Sequence, residues 1–408
     1  MPLPRLVVLG CGFGGYSLLR ALRRGAIETT LVSPRNHFLF TPLLPSATVG
    51  TVELRSILEP VRPRLSHVHF LEAAAERVDW ELRQVLCRSA VTGEEFPLAY
   101  DLLVVAVGAQ VADYGVPGVG EHALVLKEIG DARAIRRRVL EQMAAAEVPG
   151  LDPDELRRRL TFLVCGGGPT GVEIAGELAD LIDDELRRAY PELVGQVRVV
   201  LVEALERLLS GFDEALARYT REHFLREGIE VRLGAKVEAI EARRVLLAGG
   251  EAVPCGLIVW AGGNAPMPLV RSLGIELVAG RIPVDETLRV SGREGVWALG
   301  DCAAVGDPPL PATAQMAQQQ GKYLGRALAR LLRGRPVAPF TAHSFGMLAY
   351  IGGGRALADL PHVKWSGRTA WLFWRSVYLT RLVSFPNKVK VLFDWAKAAV
   401  FGRDLSRF

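Results

Sequence analysis

Two glycine-rich runs hold the residues best suited to chemistry in this chain. Gly10-Cys11-Gly12-Phe13-Gly14-Gly15 and Gly166-Gly167-Gly168-Pro169-Thr170-Gly171 each follow a short apolar run and precede a helical pattern. In a G-x-G-x-x-G turn the first glycine permits the tight turn and the second lets a pyrophosphate approach the backbone. The third allows close packing of helix on strand. The helix N-terminus adds partial positive charge for the anion. Beyond the first turn, the strand ETTLVS ends in Ser33, where a carboxylate ordinarily meets the ribose hydroxyls. Ser33 or Arg35 is left to contact that region. Beyond the second turn, VRVVLVE ends in Glu203, 37 residues after Gly166 because the intervening helix runs on. A carboxylate there suits the adenosine ribose and repels a 2′-phosphate, so NADH is expected over NADPH.

The segment VWALGDCA separates the two sites further. A strand ending in Gly-Asp, in flavoproteins with two dinucleotides, sets the aspartate on the ribityl chain; here that is Asp301. The simpler alternative is an aspartate that caps the next helix. A helix starting near Ala312 would then aim its positive end at a flavin, where negative charge develops on reduction. The first turn is therefore expected to hold FAD and the second NADH.

Glu173 has two readings. Thr170-x-x-Glu173 is a capping-box pattern, and the same carboxyl is also placed to serve a nicotinamide–flavin cleft. Gln315 and Gln319, four apart, share a helix face. Their amides suit a quinone carbonyl that becomes a hydroxyl, although solvated surface glutamines have the same spacing. His67 and His69 share a strand face, and no metal site is expected.

These residues need elements to position them. Near-continuous apolar strands (RLVVLG, YDLLVVAVGAQ, LTFLVCGG, LIVWAGG) fit parallel sheets covered on both faces. The plan strand–turn–helix–strand occurs twice, and GVWALGDCAAV then returns to the first unit. The expected fold is α/β: two Rossmann-like dinucleotide-binding domains plus a C-terminal amphipathic region. The allotment is residues 1–126 and 268–340 to FAD, 127–267 to NADH, and 341–408 to membrane association. The loop SPRNHFLFTPLLPSATVG is long enough to serve a site.

Half of the 408 residues are hydrophobic and the net charge is +4. From Trp365 onward the chain carries a net +6, which leaves the preceding residues slightly acidic. In that tail Val389, Leu392, Phe393, Ala396 and Val400 share a helical face, with Lys390, Asp394 and Lys397 on the opposite flank. An apolar stripe with tryptophans and a cationic flank fits a helix lying in the headgroup layer. A homodimer partner is the alternative, and interleaved apolar residues argue against nucleic acid. No apolar run is long enough to span a bilayer. The opening MPLPRLVVLG leaves no room for a secretory leader. The five scattered cysteines indicate a reducing compartment rather than dithiol or zinc chemistry.

The segments GCGFGG, SPRNHFLFTPLLPSATVGTVELRSILEPVR, LKEIGDA, CGGGPTGVEIAGEL, WALGDCA, TAQMAQQQGKYL, GMLAYIGGGRAL and FWRSVYLTRLVS…FGRDLSRF resemble type II, non-proton-pumping NADH:quinone oxidoreductases over nearly the whole chain. The FTPLLPS loop and the tail are especially similar to the mitochondrial-type branch. The resemblance implies non-covalent FAD on Gly10, Gly12, Phe13, Gly14 and Gly15. Ser33, Pro34, Arg35, Thr41, Pro42, Ala74, Gly108, Asp301, Ala314 and Gln315 complete that site. It implies NADH as substrate on Gly166, Gly168, Pro169, Thr170, Gly171, Glu203 and Gly262. It makes Glu173, Gln315 and Gln319 catalytic, with a membrane quinone (ubiquinone or menaquinone) as acceptor. The expected place is the cytoplasmic face of a bacterial-type cell membrane. A sulfide:quinone oxidoreductase is the rival enzyme, but it needs cysteines near the flavin, and none follows Cys302. A redox-sensing flavoprotein that binds NADH without useful turnover is the rival from another class.

Overall fold

The computed structural model describes residues 3–23, 25 and 27–406. Met1 and Pro2, on which the leader argument partly rests, lie outside the described residues. So do Arg24, Ala26 and the last two residues of FGRDLSRF.

In chain order, β1 (Arg5–Leu9) leads through the first glycine turn into α1 (Phe13–Ala21), then β2 (Glu28–Ser33) and the short helix α2 (Leu44–Thr48). Strands β3 (His69–Asp79), β4 (Gln84–Ser89), β5 (Glu95–Ala99) and β6 (Leu102–Val105) follow. The second nucleotide unit contributes β7 (Leu124–Val125), α3 (Ile129–Ala146), β8 (Thr161–Cys165), α4 (Pro169–Leu181), β9 (Arg198–Val202), β10 (Ile229–Arg232) and β11 (Leu257–Trp260). Next come β12 (Val296–Ala298) and α5 (Ala314–Leu331). The chain ends with β13 (Met347–Tyr350), β14 (Ala356–Asp359), β15 (Lys364–Gly367), α6 (Arg368–Arg381) and α7 (Phe385–Phe401).

The chain divides into two compact units. One comprises the residues up to Leu39, Glu59–Gln110 and Asn264–Phe345; the other comprises Phe40–Leu58, Val111–Gly263 and the residues from Gly346 onward. In the first unit the sheet runs β12-β6-β1-β2-β3-β4-β5. Its pairings are parallel from β12 through β3 and antiparallel at β4 and β5. Leu6 to Leu9 are all buried, as a central strand covered on both faces requires. Because β1 has β6 on one side and β2 on the other, its C-terminal turn sits where strand order reverses. That is the place for a dinucleotide in an open α/β sheet.

The second unit repeats the device. Its sheet runs β7-β11-β8-β9-β10, parallel throughout, with β8 at the switch point. The residues from Gly346 onward form an antiparallel three-stranded sheet followed by α6 and α7. The same compact unit includes them, and it also includes Phe40–Leu58, which the sequence had suggested for the FAD domain. Side chains supply the reason. Ser46 and Thr51 hydrogen-bond Glu177 on α4, and Glu53 N–H donates to Asp394 on α7 at 3.1 Å.

Candidate functional site

The two glycine turns are built alike. Gly10 has φ +100° and Gly166 φ +112°, conformations that L side chains rarely adopt. A Cβ at Gly15 would run into the Gly10 carbonyl oxygen, and one at Gly171 into the Gly166 carbonyl oxygen. A Cβ at Gly12 or Gly168 would meet nothing within 4 Å. So in each turn the outer glycines are required by the protein itself, whereas the middle one leaves open space. Gly12 and Gly168 are the N-caps of α1 and α4, and neither helix start is capped by a side chain. Uncapped N–H groups beside open space fit a pyrophosphate at both places.

The strands beyond differ as the sequence indicated. The Glu203 carboxylate accepts from Gly167 N–H at 2.5 Å and Leu205 N–H at 2.8 Å, so it also ties the turn down. Ser33 is buried, and its Oγ accepts from Arg35 N–H at 3.3 Å within its own turn. Phe13 opens α1 with its ring edge-on to Phe38, 4.9 Å between centroids. Gly108 follows β6 at φ +71°, and Ala74 lies on β3. A Cβ at Gly262 would strike Ala112 O and the Trp260 indole. Thr41 and Pro42 form a short 3-10 turn in the second unit, whereas the rest of the FAD set is in the first.

Asp301 sits in a 3-10 turn, Gly300–Cys302, just beyond β12. This turn is held by Gln320, a residue that sequence reasoning passed over. Gln320 is buried, and its side-chain oxygen accepts from Gly300 N–H at 2.7 Å. Helix α5 starts at Ala314 rather than near Ala312, and the Thr313 hydroxyl caps it by accepting from Met316 N–H. Gln315 and Gln319 do share a face. Gln315 accepts from Phe345 N–H at 3.1 Å. Gln319 both donates to His343 O (2.8 Å) and accepts from His343 N–H (3.0 Å). Both amides brace the His343–Phe345 segment.

Glu173 does not close a capping box. Helix α4 has Gly168 as its N-cap, Pro169 opens it, and Thr170 comes one residue further in. The Glu173 carboxyl is buried instead, accepting from Tyr350 N–H at 3.3 Å. Burial pushes its pKa up to about 8, and nearby Glu177 adds to the rise, while the Tyr350 N–H opposes it. Burial therefore favours the protonated form of Glu173. Glu177 and Asp180 continue the same side of α4, spaced four and three. Glu177 accepts from Ser46 and Thr51 hydroxyls, and burial raises its pKa. Asp180 accepts from the Tyr350 hydroxyl and Gly353 N–H, and burial lifts it to about 7. Both border a cavity of about 410 Å³ with Tyr350, Trp371, Arg375 and Arg403. The Arg375 guanidinium lies over the rings of Trp371 (3.9 Å) and Trp395 (4.7 Å). A visible signal existed for Glu177 and Asp180: acids at helical spacing in the otherwise apolar VEIAGELADLI.

On α7 the expected apolar face is open. Val389, Leu392 and Ala396 are exposed, Phe393 is 67% exposed and Val400 72%, whereas Val391 and Trp395 are buried. Asp394 departs from the solvated flank expected for it: it is buried, holding Glu53 N–H. No helix of the described residues is long and apolar enough to cross a membrane. Among the described residues no His, Cys, Asp and Glu cluster could hold a metal. All five cysteines are free and buried, and burial raises every thiol pKa, to about 11 for Cys302. None offers the exposed thiolate that sulfide chemistry needs.

Two glycine turns, each following a central parallel strand at a switch point, define a fold for two dinucleotides. The chain matches the pyridine nucleotide-disulphide oxidoreductase family over residues 4–321 and the NDH2 C-terminal domain over residues 345–404. It is 39% identical to the "Probable NADH dehydrogenase" of Dictyostelium discoideum, over 99% of this chain and 91% of that protein. It is equally identical to the "Internal alternative NAD(P)H-ubiquinone oxidoreductase A1, mitochondrial" of Solanum tuberosum, over 99% and 88%. The structure of NDH2 from Plasmodium falciparum in complex with NADH covers 99% of this chain and 100% of its own, at 26% identity and a TM-score of 0.95. The chain belongs to the pyridine nucleotide-disulphide oxidoreductase family, and within it to the type II NADH:quinone oxidoreductases. It is an enzyme that takes FAD as cofactor and NADH as substrate.

Proposed function

We propose that the Gly10 turn holds the FAD pyrophosphate, with Asp301 on the ribityl chain, and that the Gly166 turn and Glu203 hold NADH. FAD, when bound, supplies the hydride acceptor that links NADH oxidation to two-electron reduction of a membrane quinone, ubiquinone or menaquinone. Glu173 serves this reaction as a proton donor. The observation that carries this role is a buried carboxyl, whose protonated form burial favours, on the helix that begins at the second glycine turn. General acids act best with a pKa near the working pH. Gln315 and Gln319 hold one wall of the quinone position through the His343–Phe345 segment. The Glu203 carboxylate favours NADH over NADPH. The decisive measurement is quinone-dependent NADH oxidation by the purified yellow protein; if NADH fails to bleach the flavin, the function assigned here is wrong.

The exposed face of α7 supports peripheral membrane attachment on the NADH-bearing side, which is the cytoplasmic face in a bacterial cell. A second copy of the chain is the competing cover for that face. Replacing Phe393, Val400 and Phe401 together by Ser should release the enzyme from vesicles. A variant that still sediments with lipid but loses dimer mass would favour the second copy.

A further inference from the structure

A second surface, in the first unit, has the chemistry of an anionic lipid site. On α5, Lys322, Arg326 and Arg330 recur at four-residue spacing and are exposed. The opposite side of the helix packs against α1, where Gly321 and Gly325 lie close to the α1 backbone. The returning segment Val337–Phe345 runs beside the basic stripe. It is fastened by the Gln319 bonds to His343, by the Tyr323 hydroxyl donating to Ala338 O at 2.7 Å, and by the Tyr323–Phe340 ring contact at 5.5 Å. Between helix and segment lies a groove of about 490 Å³. Cations form its helix side, and Val337, Ala338 and Phe340 form its apolar side.

No acid offsets this charge locally. The sequence contains no Asp or Glu between Asp307 and Asp359, although Arg333 and Arg335 add two more cations after the helix. No carboxylate ion pair forms with Lys322, Arg326 or Arg330 among the described residues. Burial raises the pKa of the Tyr323 hydroxyl, and Asp285 and Glu286 add to the rise. The Asp285 carboxylate is itself occupied, accepting from Thr287 N–H at 2.7 Å and Arg289 N–H at 2.9 Å. Arg330 lies where it also complements the helix C-terminal dipole, but Lys322 and Arg326 sit too far back for that role to explain them.

We infer that this groove binds an anionic phospholipid, its phosphate on Lys322, Arg326 and Arg330 and its acyl chain along Val337, Ala338 and Phe340. The three cations span about 12 Å of helix, enough for one or two headgroup phosphates. The apolar wall distinguishes this occupant from a nucleic acid or a soluble phosphate, for which it has no use. The contribution of this site is electrostatic, where that of the α7 face is apolar.

The test uses the full-length, FAD-loaded enzyme and vesicles of phosphatidylcholine alone or mixed with phosphatidylglycerol. Wild-type enzyme should prefer the anionic vesicles. The combined variant K322Q/R326Q/R330Q should lose about 100-fold of that preference. It should keep its flavin spectrum and its activity with a soluble quinone. The swap K322R/R326K/R330K should bind like wild type, and R133Q/R137Q/R138Q on α3 should retain the preference. Three results would overturn the proposal: an unchanged preference in the first variant, an equal loss in the α3 variant, or displacement of the protein by pyrophosphate at lipid-like concentrations. Binding to neutral vesicles reports the α7 face, so failure of either surface is seen separately.

Discussion

The two glycine turns have the same backbone and different surroundings. Each bends at a glycine with φ above +100° or equal to it, each closes through a third glycine that admits no Cβ, and each leaves its middle glycine facing open space. Ligand identity therefore comes from what the flanking chain places around the turn. At the first turn the position of the carboxylate at the end of the second strand is taken by the buried Ser33, and the aspartate we propose for that site instead, Asp301, comes from the turn after β12. At the second turn the Glu203 carboxylate holds the turn through Gly167 and Leu205 N–H, and we propose that it also faces the ribose. The helices diverge as well. Helix α1 is packed closely against α5, whereas α4 carries two buried acids, Glu173 and Glu177, and the partly buried Asp180 along one side. This difference supports the proposal that the first cradle takes a resident group and the second a substrate whose reaction involves protons.

The largest effects should come from breaking the glycine pattern. Gly15→Ala forces a methyl into the Gly10 carbonyl, and overpacking of that kind costs about 3 kcal/mol. The expected result is little folded protein. Gly12→Ala meets no protein atom, so it should melt like the wild type stripped of flavin while binding FAD roughly 100-fold more weakly. Flavin absorbance and melting of the two variants separate these outcomes. Full FAD affinity in Gly12→Ala would show that the open space beside Gly12 is not the pyrophosphate cradle.

Glu173→Gln comes next. Turnover with quinone should fall about 100-fold, and NADH affinity should change little. Stability gives an independent readout. The folded pKa of about 8 lies above the ordinary carboxyl value of 4.5, so between those values the folded chain holds a proton that the unfolded chain has released. The stability this contributes is complete below about pH 4.5 and is lost as pH rises towards 8. The slope is about 1.4 kcal/mol per pH unit for one proton. The Gln variant should lack one proton's share of that slope in denaturant titrations. An identical pH dependence would place the carboxyl in water and remove it as a proton donor.

The sequence made the cradles legible because glycine spacing is a backbone constraint, readable wherever strand and helix patterns flank it. Glu203 was legible for the same reason, being at the end of a strand. Gln320, Glu177 and Asp180 were not read. Their roles depend on partners far along the chain, Gly300, Ser46 and Tyr350, and only the fold brings these together. The capping-box pattern at Thr170 misled because Pro169 moved the helix start back to Gly168. In the tail the apolar face was correct in outline, yet Asp394 turned inward, since spacing alone cannot reveal that Glu53 N–H needs an acceptor there.

Glu203→Gln sharpens the comparison at the second cradle. The amide keeps an acceptor for Gly167 or Leu205 N–H but removes the negative charge. The preference for NADH over NADPH, as a ratio of kcat/KM values, should narrow about tenfold, equivalent to ~1.4 kcal/mol. An unchanged ratio would mean that discrimination lies elsewhere and that Glu203 only holds the turn.

The smallest expected effect lies at the first cradle. Gln320→Ala leaves the Gly300 N–H buried without its acceptor, a loss of about 1–2 kcal/mol. Because Gly300 carries Asp301, the change should be felt chiefly in the FAD-bound protein. Melting should drop by a few degrees with flavin present and by less once flavin is removed, since the apo turn has no ribityl chain to hold. A drop of equal size in both forms would make Gln320 a plain core contact. That result would also weaken the case that the long-range arrival of Asp301, in place of a carboxylate at Ser33, is what distinguishes the first cradle from the second.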